Sequence, residues 1–364
     1  MKPTLKRMHV EGRLFFSVVA PLLLALAAPH AAAADPGNSS RLTTGLGFLP
    51  GGKFGVAYGV SADGSVAVGS NGIVNKDGTR GDEAFLWTRA GGIVSLGFLP
   101  GGKNSNASGI SADGSVVVGY GQISQVGNQP FRWTQSGGMV GLGFRPGSKY
   151  GKAQGVSADG TVIVGYNSLN TYQEAFRWTQ SDGMVGLGFL PGDVNSRAFA
   201  ASADGAVVVG FSQNRDGRKQ AFRWTKTAGM AGLGFLPGGT DSAAVGVSAD
   251  GSVVVGRSIS SSGTRAFRWT QAGGMIGLGT LPGSEGSRAF AVSADGTTVV
   301  GYSEFASGDH AFRWTPSSGM VALGFLPGGT RNAAFGVSAD GSVVVGHSDG
   351  SAGNQATLWK ATQK

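Results

Sequence analysis

From residue 42 to residue 359 the apolar positions fall into short β-type runs separated by turn residues, and no stretch carries a helical stripe. One unit shows the pattern. Ala107–Ser111 is followed by the turn Ala112-Asp113-Gly114 and by Ser115-Val116-Val117-Val118-Gly119-Tyr120. A polar loop runs to Gln129, then come Phe131–Thr134, a Gly-Gly turn and Met139–Phe144, with a corner at Pro146-Gly147. β-Branched residues suit pleated, packed strands, and Gly, Asp and Pro suit the turns between them. Four strands in roughly 45 residues is the period of a propeller blade.

The unit recurs along the chain. Ser-Ala-Asp-Gly places its acid at Asp63, Asp113, Asp159, Asp204, Asp250, Asp295 and Asp340. A single Trp recurs in step at Trp87, Trp133, Trp178, Trp224, Trp269, Trp314 and Trp359, and these are all 7 Trp of the chain. Anchors in step over residues 42–364 leave no room for a second domain and predict an all-β, seven-bladed β-propeller. A parallel β-helix also stacks strands, but its coils are shorter and lack a four-strand unit. The last unit stops soon after Trp359, short of a fourth strand, and Leu42–Phe48 ahead of the first unit supplies one. The pattern therefore predicts a ring in which Leu42–Phe48 pairs with Gln355–Trp359, completing the last blade and leaving no open sheet edge.

The N-terminus has a different pattern. Lys2, Lys6, Arg7 and Arg13 precede an apolar run from Leu14 to Ala28, and Ala31–Ala34 follows. A basic start, a short apolar centre and an Ala-x-Ala end make a secretory signal peptide over residues 1–34, cleaved after Ala34, with 35–41 as a short linker. The run is shorter than the roughly 18–20 apolar residues a membrane span needs. No second run of that length follows, so an exported protein without an integral membrane segment is expected, in the periplasm or outside the cell.

Composition narrows the chemistry. Cys is absent, which excludes disulfide frameworks, thiolate metal sites and Cys nucleophiles. Net charge is +8, and the first 34 residues hold four bases and one acid, leaving about +5 on the remainder. That mild excess, with no Lys/Arg cluster beyond the presequence, argues against nucleic acid as a partner. No Gly-x-Ser-x-Gly elbow, His-Glu-x-x-His or Walker loop is present.

The repeated residues have structural roles to fill. Ser-Ala-Asp-Gly fits a tight hairpin turn, and one acid per turn is too few for calcium, which takes six to eight oxygens. Phe and Trp two apart in the third strand share a face and are expected to wedge between blades. Between them stand Arg132, Arg177, Arg223, Arg268 and Arg313, expected to pair with a carbonyl or an Asp across the blade boundary, but Leu86 and Leu358 in the first and last blades. Gly59, Gly109, Gly155, Gly246 and Gly336 let converging first strands approach closely.

Variation concentrates in two loops per unit, which open on one face of a propeller: the loop after the Leu-Pro-Gly corner and the loop after Val-Val-Val-Gly. Lys53, Lys103, Lys149, Arg197, Arg288 and Arg331 are the candidate binding residues there. Two weaker candidates are a metal held by His310 and His347 with Asp309 or Asp349, and a hydrolase pair such as Asp82 with Glu83 or Glu285 with Glu304. Spacing alone does not bring either set together, and no cofactor, metal or catalytic residue is assigned.

The string His310-Ala311-Phe312-Arg313-Trp314, with Ala84-Phe85-Leu86-Trp87 and the other Phe-x-Trp copies, resembles the signature of the bacterial extracellular HAF-repeat proteins. The resemblance spans residues 42–359 and includes Met-x-x-Leu-Gly and Ser-x-Asp-Gly. The chain departs from the family pattern before Leu-Gly, where Gly141, Gly186, Ser95 or Ala322 replaces Asp, and in carrying the literal His once. The resemblance implies an exported repeat protein and supplies no catalytic residues. The expectation is a monomeric, non-enzymatic scaffold that binds a protein or glycan through its variable loops. The alternatives are a carbohydrate-active hydrolase or lyase and an adhesin for anionic glycan.

Overall fold

In the computed structural model, residues 43–74, 78–123, 127–169 and 171–360 are described. The signal peptide, the linker and Leu42 lie outside the described residues. No helix among the described residues is long and apolar enough to cross a membrane.

The Ser-Ala-Asp-Gly turns are built alike. Ser61 Oγ donates to Asp63 Oδ1 at 2.6 Å and accepts the Val66 amide at 3.0 Å, while the Ser65 amide donates to the same Asp63 oxygen at 3.0 Å. Gly64 closes the turn at φ +72°, where a side chain would be strained. These donors hold the Asp63, Asp113 and Asp250 carboxyls at about 2, and the other four repeat Asp carboxyls also lie below their ordinary value. The carboxylates are hydrogen-bond acceptors that fix the turn, as the sequence predicts.

Such lowered carboxyls stabilise the fold above their unfolded value near 4 and lose that contribution as pH falls through about 2. The urea midpoint is therefore expected to hold steady from neutral pH to about 5 and to fall between about 4 and 2. Asp250→Asn should flatten the fall slightly, and a midpoint unchanged down to pH 2 would contradict the turn's role.

The turns also join to each other. The Ala62 amide donates to the Ala112 carbonyl, Ala112 to Ala158, Ala158 to Ala203, Ala203 to Ala249, Ala249 to Ala294, Ala294 to Ala339, and Ala339 back to Ala62, at 2.9–3.0 Å. This is a closed circle of seven hydrogen bonds, one per blade boundary.

The strands form seven four-stranded antiparallel sheets, all β. In six of them the four strands follow in chain order from the axis outward. In the seventh, Asn332–Val337, Val343–Ser348 and Gln355–Lys360 are completed by Thr43–Gly45 from the N-terminal end of the propeller. Thr43 pairs with Trp359, Thr44 with Leu358 and Gly45 with Thr357, and the Leu46 amide donates to the Ala356 carbonyl at 2.8 Å. The expected closure is present.

Outer strands are shorter than the apolar pattern predicts. The run Met139–Phe144 pairs only over Gly138–Gly141. Leu142 turns its amide to the Pro130 carbonyl at 2.8 Å, and Gly143 leaves the sheet at φ +74°. The third strand is longer than expected, reaching back to Gly127.

The core sits between blades. Phe85, Phe131, Phe176, Phe222, Phe267 and Phe312 are fully buried against the preceding blade, and the Trp two residues on packs half-buried on the same clusters. The wedge is therefore mainly Phe, with Trp covering it. The last blade reverses this: Thr357 stands where Phe would, and Trp359 is buried with its indole N–H donating to the Gly324 carbonyl at 2.7 Å. Arg177, Arg223, Arg268 and Arg313 donate Nε–H to the carbonyls of Gly205, Gly251, Gly296 and Gly341 in the next blade at 3.3–3.4 Å. Leu86 and Leu358 instead pack into the apolar clusters at their boundaries.

A candidate binding site in the central channel

The inner strands are Phe54–Val60, Ser105–Ile110, Ser148–Val156, Asn195–Ala201, Asp241–Val247, Gly286–Val292 and Asn332–Val337. Each carries a bulge against its neighbour at one shared repeat position, and Ser148–Val156 has a second irregularity that skips Lys149. The pairing skips Tyr58, Ser108, Gln154, Phe199, Val245, Phe290 and Phe335. A bulge re-aims the residue it leaves unpaired. All seven of these side chains line one central cavity of about 470 Å³.

The residues around each bulge explain why it forms there. The Gly after Val-Val-Val lies directly under the partner strand: a Cβ on Gly210 would sit 1.9 Å from the Arg197 carbonyl oxygen. The residue after the bulge is Gly or Ala because inner strands of neighbouring blades converge there. A Cβ on Gly155 would meet the Phe199 carbonyl oxygen at 2.6 Å, and one on Gly246 the Phe290 carbonyl oxygen at 3.0 Å. The close approach expected from the small residues is present, and a cavity opens at the bulges all the same.

Around the axis the cavity is uneven. The bulged residues of the first three blades are polar, Tyr58, Ser108 and Gln154, and those of the other four are apolar. Tyr58 packs at 5.6 Å from Phe335, which meets Phe290 edge-on at 5.0 Å, making a continuous aromatic wall. Val60, Ile110, Val156 and Val337 add apolar lining from the same strands. One cation lines the cavity, Arg257, from the second strand of the fifth blade.

Five cations gather at this end of the channel among the described residues, and four already have a partner; one of these is Lys219, whose Nζ lies 5.3 Å from the ring centre of cavity-lining Phe211. Lys152 Nζ lies 3.9 Å from the Tyr120 ring centre. Arg197 covers the Tyr166 ring at 4.6 Å and donates Nε–H to Gln173 Oε1 at 2.6 Å. Arg288 pairs with Glu304 at 2.5 Å. Arg257 has no ion pair or hydrogen bond of its guanidinium among the described residues. Burial lowers the Arg257 pKa, Arg288 lowers it further, and Asp241 pulls the other way more weakly. Burial also raises Tyr58, Tyr120 and Tyr302, and pushes Tyr166 up to about 12 against the opposing charge of Arg197. All four phenols are neutral donors at ordinary pH.

Of the six candidate binding residues, Arg197 and Arg288 stand on the inner strands at this channel end. Lys53, Lys103 and Lys149 are exposed on the corners, and exposed Arg331 pairs with Asp349 at 3.4 Å. The two variable loops do meet on one face: the Val194 amide donates to the Gln213 carbonyl and the Lys219 amide to Asp241 Oδ2. Of the weaker candidates, the metal set does not assemble, whereas Glu285 and Glu304 do adjoin, the Glu285 amide donating to the Glu304 carbonyl at 2.7 Å. His310 packs between Phe305 and Phe325, while His347 lies by Phe335 in another blade, and no group of three metal ligands occurs among the described residues. Glu83 accepts the Ser95 hydroxyl, and Glu304 is held by Arg288.

Arg257, Lys152 and the bulged residues were not among the candidates, yet the repeat contains their signal. They vary from unit to unit at strand positions flanked by residues that hardly vary, Ala and Gly on the inner strand and Val-Val-Val-Gly on the second.

No protein-family model matches the chain, and no curated protein matches it either. Solved structures match in fold. Oligogalacturonate lyase in complex with manganese is 12% identical with a TM-score of 0.61, over 88% of this chain and 93% of that one. The β-propeller domain of the Trilobed protease from Pyrococcus furiosus is 11% identical with a TM-score of 0.61, over 86% and 95%. That domain is described as having an open velcro topology, whereas this ring is closed by strand pairing. TolB from Acinetobacter baumannii is 13% identical with a TM-score of 0.50, over 71% of this chain, which spans 63% of the TolB chain. These likenesses show the propeller fold.

Proposed function

We propose that the chain is an exported, non-enzymatic binding module that holds an anionic ligand at the loop-face end of its central channel. Export rests on the basic, apolar and Ala-x-Ala pattern of residues 1–34. The binding reading rests on one observation: Arg257 lines the cavity, desolvated and beside a second cation, with no counter-ion of its own. A half-buried guanidinium left in that state is costly, and an anion in the cavity relieves the cost. The variable bulged residues around it are arranged as a ligand-facing set on an otherwise repeated scaffold.

The test compares matched acids and neutral analogues, benzoate with benzamide and galacturonate with galactose, by calorimetry on the mature chain at low salt. An acid is expected to bind at least about tenfold more tightly than its neutral partner, since a charge-assisted pair contributes about 1.5–3 kcal/mol. Arg257→Gln should remove that preference. Equal binding of acid and neutral partner, or no effect of Arg257→Gln, would overturn the reading.

A further inference from the structure

We infer that the ligand is a compact aromatic monocarboxylate, seated with its ring against Phe199, Phe290 and Phe335 and its carboxylate on Arg257. This rests on the anionic reading above and sharpens it. Charge fixes the first part. Arg288 is paired with Glu304, and Lys152, Arg197 and Lys219, themselves outside the lining, lie over aromatic rings, so one cation, Arg257, faces the cavity. One charge matches a monoanion, and a planar guanidinium matches the two oxygens of a carboxylate. A phosphate ester or a polyuronate brings more negative charge than this site compensates.

Shape and polarity fix the second part. Val60, Ile110, Val156 and Val337 line the cavity beside three Phe, and the polar lining side chains besides Arg257 are Tyr58, Ser108 and Gln154. A sugar needs a hydrogen-bond partner for almost every hydroxyl, and most of this wall has none to give. An aromatic ring gains from the same wall, because Phe290 and Phe335 already stand edge-to-face, the arrangement that favours a further ring. About 470 Å³ exceeds the roughly 150 Å³ that takes one benzene, leaving room for the ring and its acid arm. Ser108 and Gln154, from the second and third blades, can receive a distal hydroxyl or carbonyl, while the Tyr58 hydroxyl is engaged with Ser70 and Asn106.

Val245 gives a clean probe. It is the bulged residue of the fifth blade, the blade that carries Arg257, and three other blades hold Phe at that position, so the fold accepts Val245→Phe. The substitution fills the cavity and leaves Arg257 in place.

The experiment is calorimetric titration of the mature chain with acetate, benzoate, 3-phenylpropionate, phenyl phosphate and galacturonate, with Val245→Phe and Arg257→Gln alongside. The expected result is that 3-phenylpropionate binds at least tenfold more tightly than acetate, phenyl phosphate or galacturonate, and that each variant weakens it at least tenfold. Galacturonate or phenyl phosphate binding as tightly as 3-phenylpropionate, still dependent on Arg257, would overturn the ligand class and leave the anionic reading standing. Binding of 3-phenylpropionate that is unchanged in Val245→Phe would overturn the seat in this cavity. No acid binding above its neutral analogue would overturn both.

Discussion

Phe222→Ala is expected to destabilise the protein by about 3–5 kcal/mol, and Trp224→Ala, two residues away on the same face, by about 2 kcal/mol or less. The Phe222 ring is fully buried among Val162, Val164, Leu187 and Val208, at the boundary between two blades. Truncation leaves a void that close-packed neighbours on both sides cannot fill. Gly210 lies against the same ring, 2.9 Å from where a Cβ would sit, so the strand above it is placed by the ring as well. Trp224 only covers this cluster, and part of its indole stays in water after folding. The last blade should invert the order. Trp359 is 2% exposed and donates to Gly324, so Trp359→Ala should cost as much as Phe222→Ala. Urea midpoints of the three variants at constant slope measure this. Equal losses for Trp224→Ala and Phe222→Ala would contradict the assignment of the wedge to Phe.

The same residues show what the sequence can and cannot tell. Phe and Trp two apart correctly mark one face and one boundary, because a strand puts alternate side chains together. They do not show which of the two lies deeper, since that depends on how far the third strand stands from the axis. The turns were fully legible: Ser, Asp and Gly in fixed order make a local hydrogen-bond set that needs no partner from elsewhere. The circle of Ala62, Ala112 and their five counterparts was not legible, because backbone amides leave no trace in side-chain identity.

The candidate site was legible only in part. Arg197 and Arg288 drew attention as charges near variable corners. Their place in the channel depends on the inner-strand bulges. Strict alternation would set Tyr58 on the same face as Val56 and Val60, and the extra residue in each inner strand breaks that count. The Ala-x-Gly or Ala-x-Ala around each bulge is a consistent mark of it, but its meaning depends on the converging neighbour, which only the assembled ring supplies.

The second large effect concerns closure. A chain beginning at residue 50 is expected to lose most of its stability and to aggregate. Leu46 and Leu49 are 5% and 3% exposed, packed on Val343, Val345 and Leu358 of the last blade. Their burial contributes about 2 kcal/mol each, and the backbone hydrogen bonds of Thr43–Leu46 about 1 kcal/mol each. That total rivals the roughly 5–15 kcal/mol by which a domain is stable. Gln355–Lys360 would also become an exposed edge, open to pairing with other molecules. The amide hydrogen bonds from Ala339 to Ala62 and from Gly55 to Asn354, with Phe85 against Val343 and Val345, would remain at this boundary, without the fourth strand and its two leucines.

The cavity is lined by all seven inner strands, so its shape depends on that closure. Hydrogen exchange of the intact mature chain, followed by mass spectrometry, tests it most directly. The peptide spanning residues 43–49, which includes the Leu46 amide, should be protected together with the peptide spanning 355–360 and exchange with it in one step. Exchange of residues 43–49 within seconds while 355–360 stays protected would show the ring is not closed by this strand.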